Sequence, residues 1–450
     1  RPYALIAELA KPIIVNWPNT PQRPIPPTEK TPVTPTLSNP SAPATPHPAL
    51  STQHSALTPG ILVWLRQDAF ALPAIILIAL GLLSLFTLVN PEFGSDSARA
   101  YRWVIIEPIL LYFLLTELIN SKRSLLRVFD FFVIAGVAVS FVGLWQFVGS
   151  NGTLNVEGVS RVLGVYQHPN NLALYLDRVA AFAACMVLFL PWGWRKVLYG
   201  LACLPMFAAF LLTFSRGAWV ALALAIVIAI TFGVRWPLGW ASKYAMPFFK
   251  RWLAAVTVVG ILGVLFIAVV APSFPGRILS PSSGLKRVDI WISALKMGSD
   301  HPFFGIGLDQ FLNQYQLKDP VTQQFVYIKE EQSAELFTAH PHNLVLDWWL
   351  SLGIMGLFVL VWLLWRFYRE AILLARWTAQ KGSSDPILRA IIIGLISSMT
   401  AFFIHGLVDN SYFLMDLALI FWLSCGALQL SRMLYKGKDT GKQSEQLSEN

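Results

Sequence analysis

His340-Pro341-His342-Asn343-Leu344-Val345-Leu346-Asp347-Trp348-Trp349-Leu350-Ser351-Leu352-Gly353-Ile354-Met355-Gly356 marks the point where a long polar stretch runs into a strongly apolar one. The apolar side is long enough to cross a bilayer as a helix, so His342 stands at the mouth of a membrane span. An imidazole exchanges a proton near neutral pH, and at the bilayer surface it can act on a group presented there. A lone histidine at a helix start is also, and more commonly, a cap or a hydrogen-bonded structural residue. His340, two residues away, points elsewhere on a helix. Gly353 and Gly356 fall on one helix face and read as a close-packing surface for a neighbouring helix.

The composition around this stretch agrees with a membrane reading. The chain has 450 residues, 55% hydrophobic and 13% charged, with mean hydropathy +0.56. A soluble domain carries roughly 25% charged residues. The reading is an all-α, polytopic transmembrane helical bundle. A barrel would instead show short alternating strands. The net charge of +9 fits basic residues gathered in cytoplasmic loops, and no compact basic fold points to nucleic acid. Cys185, Cys203 and Cys425 lie inside apolar runs without zinc-type spacing and predict no disulfide.

Residues 1–60 include a Pro/Thr/Ser-rich run from 16 onward, which cannot bury a core and reads as a disordered cytoplasmic segment. They lack the pattern of a cleaved signal peptide. Residues 61–435 form the transmembrane domain, and 436–450 a cytoplasmic polar tail. About ten spans are predicted, near 71–89, 100–119, 128–148, 171–190, 197–214, 217–234, 252–271, 343–365, 387–408 and 412–432. Basic residues occupy every second loop: Lys122, Arg123 and Arg127; Arg195 and Lys196; Arg235, Lys243, Lys250 and Arg251; Arg366, Arg369, Arg376 and Lys381. The positive-inside rule makes these loops cytoplasmic. The alternate loops, including the long helix-containing 272–342 segment, are then extracytoplasmic. Arg216, Arg287, His342 and Asp409, from four distant places, fall on that one outer face.

Each has a plain reading beside a chemical one. Arg216, in Thr213-Phe214-Ser215-Arg216-Gly217-Ala218-Trp219, is a snorkelling interfacial arginine or an anion site whose planar fork suits phosphate. Arg287 is either a solvated partner of Asp289 or an anion ligand at the start of a helix over 286–297. In that helix Val288, Ile290, Trp291 and Leu295 can pack on the membrane domain. Gly305-Ile306-Gly307 reads as a turn, since it lacks the strand-to-helix setting of a nucleotide fingerprint. His168 lines the same cavity or caps a span. Asp177 and Arg178 lie inside that span and pair with polar partners in the bundle. His405 and Asp409 end the ninth span outside, where Asp409 can orient an imidazole or pair an arginine. No helix pair broken by Gly or Pro stands out.

Together these segments resemble the O-antigen ligase and polymerase superfamily over roughly residues 70–435. His342-Asn343, nine residues, then Gly353 and Gly356 fits its signature of His, Asn/Ser/Gln and Gly-x-x-Gly. Ser215-Arg216-Gly217-Ala218-Trp219 resembles its arginine turn. Arg287…Trp291 with His301-Pro302-Phe303-Phe304-Gly305-Ile306-Gly307 resembles its outer-loop segment. His405-Gly406…Asp409-Asn410 resembles its last outer turn. The resemblance implies about twelve spans, the two not seen preceding Arg1. It also implies an inverting, metal-independent glycosyltransferase of the bacterial inner membrane, with no cofactor and its site facing the periplasm or cell exterior. The donor would be a polyprenyl-pyrophosphate-linked glycan, and the acceptor a hydroxyl on a glycan, lipid or other molecule. His342 would be the general base, Arg216 and Arg287 the pyrophosphate ligands, and Asn343, Asp409, His168 and His405 supporting residues.

Two other functions stay open. One is a small-anion transporter, since relatives with this signature include bicarbonate-uptake components. Against it, the motifs cluster on one face and not at the bilayer midplane. The other is an assembly protein without chemistry.

Overall fold

The computed structural model describes residues 67–149, 152–156, 159–238, 282–315, 321–322, 339–380 and 384–448. The predicted 1–60 segment, the span at 252–271, Lys243, Lys250, Arg251 and Lys381 lie outside the described residues. In chain order the helices are α1 (Ala71–Ser84), α2 (Gly94–Tyr101), α3 (Glu107–Leu118) and α4 (Lys122–Gly149). A hairpin of β1 (Thr153–Val156) and β2 (Val159–Val162) follows. Then come α5 (Pro169–Phe189), α6 (Trp194–Leu212), α7 (Arg216–Leu238), α8 (Ser282–Asp300), α9 (Phe311–Tyr315), α10 (Leu344–Trp377), α11 (Pro386–Gly406) and α12 (Met415–Ser448). The fold is an all-α, multi-pass membrane bundle.

Seven of the described helices, α4 to α7 and α10 to α12, are long and apolar enough to cross a membrane. Two predicted spans are shorter or interrupted. The one near 71–89 is the 14-residue α1. The one near 100–119 is α3 entered through a π-helical turn over Arg102–Ile106. The tail at 436–450 begins as a continuation of α12, whose backbone stays helical to Ser448.

The bundle is layered by polarity of position. α5 and α11 pack on each other, on α7 and on further spans, and are buried on nearly all sides. Their small residues allow that closeness: Gly394 of α11 sits against the Phe182 ring, where a β-carbon would lie 2.7 Å from the ring edge. α4 and α6 are peripheral, and apolar side chains such as Trp145 and Leu201 stay exposed on them, as a lipid-facing surface requires. At one end of the bundle, loop charges cross-link the helices. Lys122 pairs with Asp385 at 2.7 Å and Arg195 with Asp130 at 3.1 Å. The opposite end carries the hairpin, α8, and the turns before α7 and after α11.

The Gly353/Gly356 reading needs correction. Gly353 has φ 68° and ψ −169°, which breaks α10 in two. Among the described residues the nearest atoms to Gly353 belong to no neighbouring helix. The chain's own Pro302–Gly307 loop enters the break instead, and a β-carbon on Gly353 would strike the Phe303 carbonyl. Gly356 backs onto Leu352 and Trp348 of its own helix. Loop hydrogen bonds bridge the break. Leu350 O accepts from Ile306 N (2.7 Å) and Gly307 N (3.2 Å), and Ile354 N donates to Pro302 O (3.1 Å). Backbone polarity at this depth survives only when paired in this way. The Gly305-Ile306-Gly307 turn reading holds, and the glycine at 305 is demanded by its contact with Leu350 O. No pair of broken helices is legible in the sequence, and this one break was not singled out there.

Candidate functional site

The site is built on a carboxylate. Asp409 lies in the turn joining α11 to α12, and that turn is rigid. Asn410 Oδ1 accepts from Phe413 N at 3.0 Å, and Tyr412 packs on Trp348 of α10 with ring centroids 4.9 Å apart. Asp409 Oδ1 meets His342 Nδ1 at 2.7 Å and Oδ2 meets Arg287 Nη2 at 3.2 Å. Asn170 Nδ2 at the start of α5 donates to the same Oδ2 at 3.0 Å. Asp409 thus orients an imidazole and pairs an arginine at once, joining residues 67 and 122 positions away. Burial alone would raise this carboxyl. The His342 charge and hydrogen bond, together with Arg287, outweigh burial and hold it well below the usual carboxylate range.

His342 is positioned from three sides. It has φ 48°, a left-handed conformation unusual for a residue with a side chain. Trp291 Nε1 of α8 donates to its carbonyl at 3.3 Å. The next residue, Asn343, is the N-cap of α10, its Oδ1 accepting from Val345 N and Leu346 N at 3.0 and 3.1 Å. Asn343 Nδ2 also donates to Leu407 O at 2.9 Å, tying α10 to the end of α11. The cap is therefore Asn343, and His342 is free of that duty. Because a carboxylate can only accept, the neutral ring carries its proton on Nδ1 toward Asp409, and Nε2 is the basic nitrogen.

Arg287 departs from expectation in two respects. It lies in the second turn of α8, not at the helix start, and its ion pair is with Asp409, not Asp289. Arg216 opens α7, and the adjoining Gly217 packs on Val408 and His405, where a β-carbon would lie 2.9 Å from Val408 Cγ2. The first turn of α7 therefore rests on the Asp409 turn. The residue that sequence reading missed is Arg161, on β2. Its Nε donates to Thr213 O (2.6 Å), in the turn ahead of Arg216, and its Nη2 to Asn170 Oδ1 (2.7 Å). Its signal was faint: Val159-Ser160-Arg161-Val162 is only four residues long and does not alternate apolar with polar.

His168 caps α5, its Nδ1 accepting from Asn170 N at 3.2 Å. Burial first, then the Arg161 charge, pull its pKa down to about 4, so it is neutral, as an accepting Nδ1 requires. His405 is not at the open site. It is buried one layer deeper, Nδ1 to Asp177 Oδ2 at 2.7 Å, which identifies the intramembrane partner of Asp177. Arg178 beside it donates to Ser411 O and Leu417 O. Among the described residues no His, Cys, Asp and Glu group is placed to hold a metal ion.

The expected helix spacing does not apply, because both histidines precede α10, but His340 takes a different carboxylate from His342. The Nδ1 of His340 lies 3.3 Å from Asp347 Oδ2. Both line a cleft with Asp309, Ser351, Phe311 and Phe413. Burial tends to lower the His340 pKa, but the Asp347 and Asp309 carboxylates raise it overall. Burial raises the Asp309 carboxyl. His340 and His342, two residues apart, thus each pair with a different carboxylate.

Residues 201–361 match the family model described as O-antigen ligase, a stretch containing Arg216, Arg287, His342 and Asn343. No curated protein matches. A solved chain from a study titled "Structural coordination of polymerization and crosslinking by a peptidoglycan synthase complex" aligns at TM-score 0.38 and 16% identity, covering 81% of this chain and 97% of that one. So loose a likeness carries no argument.

Proposed function

From the match of residues 201–361 to the O-antigen ligase family model, we propose a membrane glycosyltransferase that moves a glycan from a polyprenyl-pyrophosphate donor to an acceptor hydroxyl. The active site would face away from the cytoplasm of a bacterial inner membrane. The observation that carries this reading is the shared carboxylate: Asp409 holds His342 at 2.7 Å and Arg287 at 3.2 Å.

In the proposed reaction, Asp409 keeps the Nδ1 proton of His342 in place, and Nε2 takes the proton of the acceptor hydroxyl. The acceptor oxygen attacks the anomeric carbon as the bond from that carbon to the pyrophosphate oxygen breaks. The electron pair leaves with the pyrophosphate, whose growing charge is met by Arg287 and Arg216. Direct displacement inverts the anomeric centre. Pyrophosphate is already a good leaving group, so positioning and charge neutralisation are the tasks left to the protein. No resident metal or cofactor is assigned a part.

Asn343 and His168 support the site as caps, and Asp409 as the group that orients the base.

Glycan transfer from a polyprenyl-pyrophosphate donor in vesicles tests the reading. His342→Ala is expected to cost about 10²–10⁴-fold in rate, and Arg216→Ala to weaken both donor use and turnover. Transfer surviving both changes contradicts the reading, and anion flux without transfer favours the transporter.

A further inference from the structure

α8 presents three lengthwise rows. Ile290, Ala294 and Met297 are buried against the α10 side of the site. Arg287 and Trp291, one turn apart, face the Asp409 carboxylate and the His342 carbonyl. Val288, Ile292 and Leu295 are 43%, 53% and 48% exposed. At helical spacing these last three fall within an arc of about 60°, directly beside the Arg287–Trp291 row. The sequence placed Val288 and Leu295 in the packing face, and the structure turns them outward. Phe303 and Phe304, 69% and 53% exposed, continue the apolar surface past the end of α8.

Exposed apolar residues on the long spans need no explanation, because lipid covers them. α8 is different. It carries Lys286, Arg287, Asp289, Lys296 and Asp300 within 19 residues and is not among the helices apolar enough to cross. A persistent apolar row on such a helix marks a surface that something covers. The row starts one residue from the guanidinium that pairs with Asp409. Its occupant should therefore be apolar along its length and anionic at one end.

We propose that the Val288–Ile292–Leu295 row is the track for the isoprenoid chain of the donor. The pyrophosphate sits at Arg287, and the chain leaves it along the exposed face of α8 toward Phe303 and Phe304. This rests on the donor reading given above and adds where the lipid part of the donor lies. The row spans about 10 Å along the helix at 1.5 Å per residue, so only the chain segment nearest the pyrophosphate is held, and the remainder enters the bilayer.

The test uses the full chain in lipid nanodiscs with two probes, undecaprenyl pyrophosphate and inorganic pyrophosphate. The double variant Ile292→Ser/Leu295→Ser is expected to weaken binding of undecaprenyl pyrophosphate about tenfold and to leave inorganic pyrophosphate unchanged. Arg287→Ala should weaken both. Unchanged undecaprenyl pyrophosphate binding by the double variant, with Arg287→Ala still defective, overturns the track while the donor reading stands. If Arg287→Ala binds both probes as the parent does, the donor reading fails and takes the track with it. A photo-crosslinker at position 292 gives a second readout should the double variant fold poorly. Labelling by added undecaprenyl pyrophosphate supports the track. Labelling by phospholipid or a second copy of the chain, insensitive to that addition, overturns it.

Discussion

Two imidazole–carboxylate pairs of the same length stand a short way apart in this protein. His342 meets Asp409 at 2.7 Å, and His405 meets Asp177 at 2.7 Å. Their surroundings separate them. The first pair has side-chain exposures of 21% and 3%, the second 1% and 0%. Asp409 also takes Arg287, Asn170 and its neighbour's amide, whereas Asp177 Oδ1 makes no hydrogen bond. A general base has to reach its substrate, and of the two pairs the His342–Asp409 pair is the accessible one. The closed pair satisfies polar groups in an apolar bundle, and in the same layer Arg178 is held by backbone carbonyls. Bond length alone does not identify a catalytic dyad; access and the company of arginines do.

The comparison can be broken most forcefully at Asp409. Asp409→Asn leaves Arg287 without its carboxylate and removes the group that fixes the His342 proton. Transfer by folded protein should fall by about 10–100-fold, measured at saturating donor. A rate near the parent's would reduce Asp409 to a structural role. At the closed pair, the corresponding Asp177→Asn strands a buried imidazole. It should cost about 3–5 kcal/mol of stability, read as lost yield and lower melting temperature, with the rate per folded molecule kept. A selective rate loss in a stable Asp177→Asn protein would erase the distinction between the pairs.

Gly353→Ala sharpens the picture from the scaffold side. The β-carbon meets the Phe303 carbonyl and forces φ 68° on a residue that resists it. A loss of about 1–3 kcal/mol is expected. Limited proteolysis should show the Pro302–Gly307 loop leaving the break in α10. Unaltered protection would mean that the loop does not depend on the break.

The smallest effect concerns pH. His168 has its pKa lowered to about 4, against an ordinary 6.5. Between those values the unfolded chain binds more protons than the folded one, so stability falls as pH drops through that window and levels off below it. His168→Gln should flatten this part of a melting-temperature profile. A slope identical to the parent's would place its origin elsewhere.

Basic loops set the path of the chain and predicted Arg216, Arg287, His342 and Asp409 at one face; the structure joins Arg287 and His342 through Asp409 and puts Arg216 at the start of α7, whose next residue packs on Val408. His340 takes a different carboxylate from His342, although neither lies in the helix whose spacing was expected to separate them. Less could be read where a distant partner decides the conformation. Gly353 and Gly356 look like a packing motif until the Phe303 carbonyl occupies the space beside Gly353, and that carbonyl is fifty residues upstream. Arg161 was hidden because its strand is four residues long and has no period-two pattern to announce a hairpin. The outward turn of Val288 and Leu295 depends on which row of α8 the α10 side buries, and periodicity gives the rows without choosing between them.

The most direct measurement sets the two histidines side by side: glycan transfer per folded molecule for His342→Gln and His405→Gln, from one polyprenyl-pyrophosphate donor in the same vesicles. The account predicts a near-complete loss for His342→Gln and a rate within a few-fold of the parent for whatever His405→Gln protein folds. Equal losses in the two variants, or a turnover that depends on His405 and survives without His342, would contradict it.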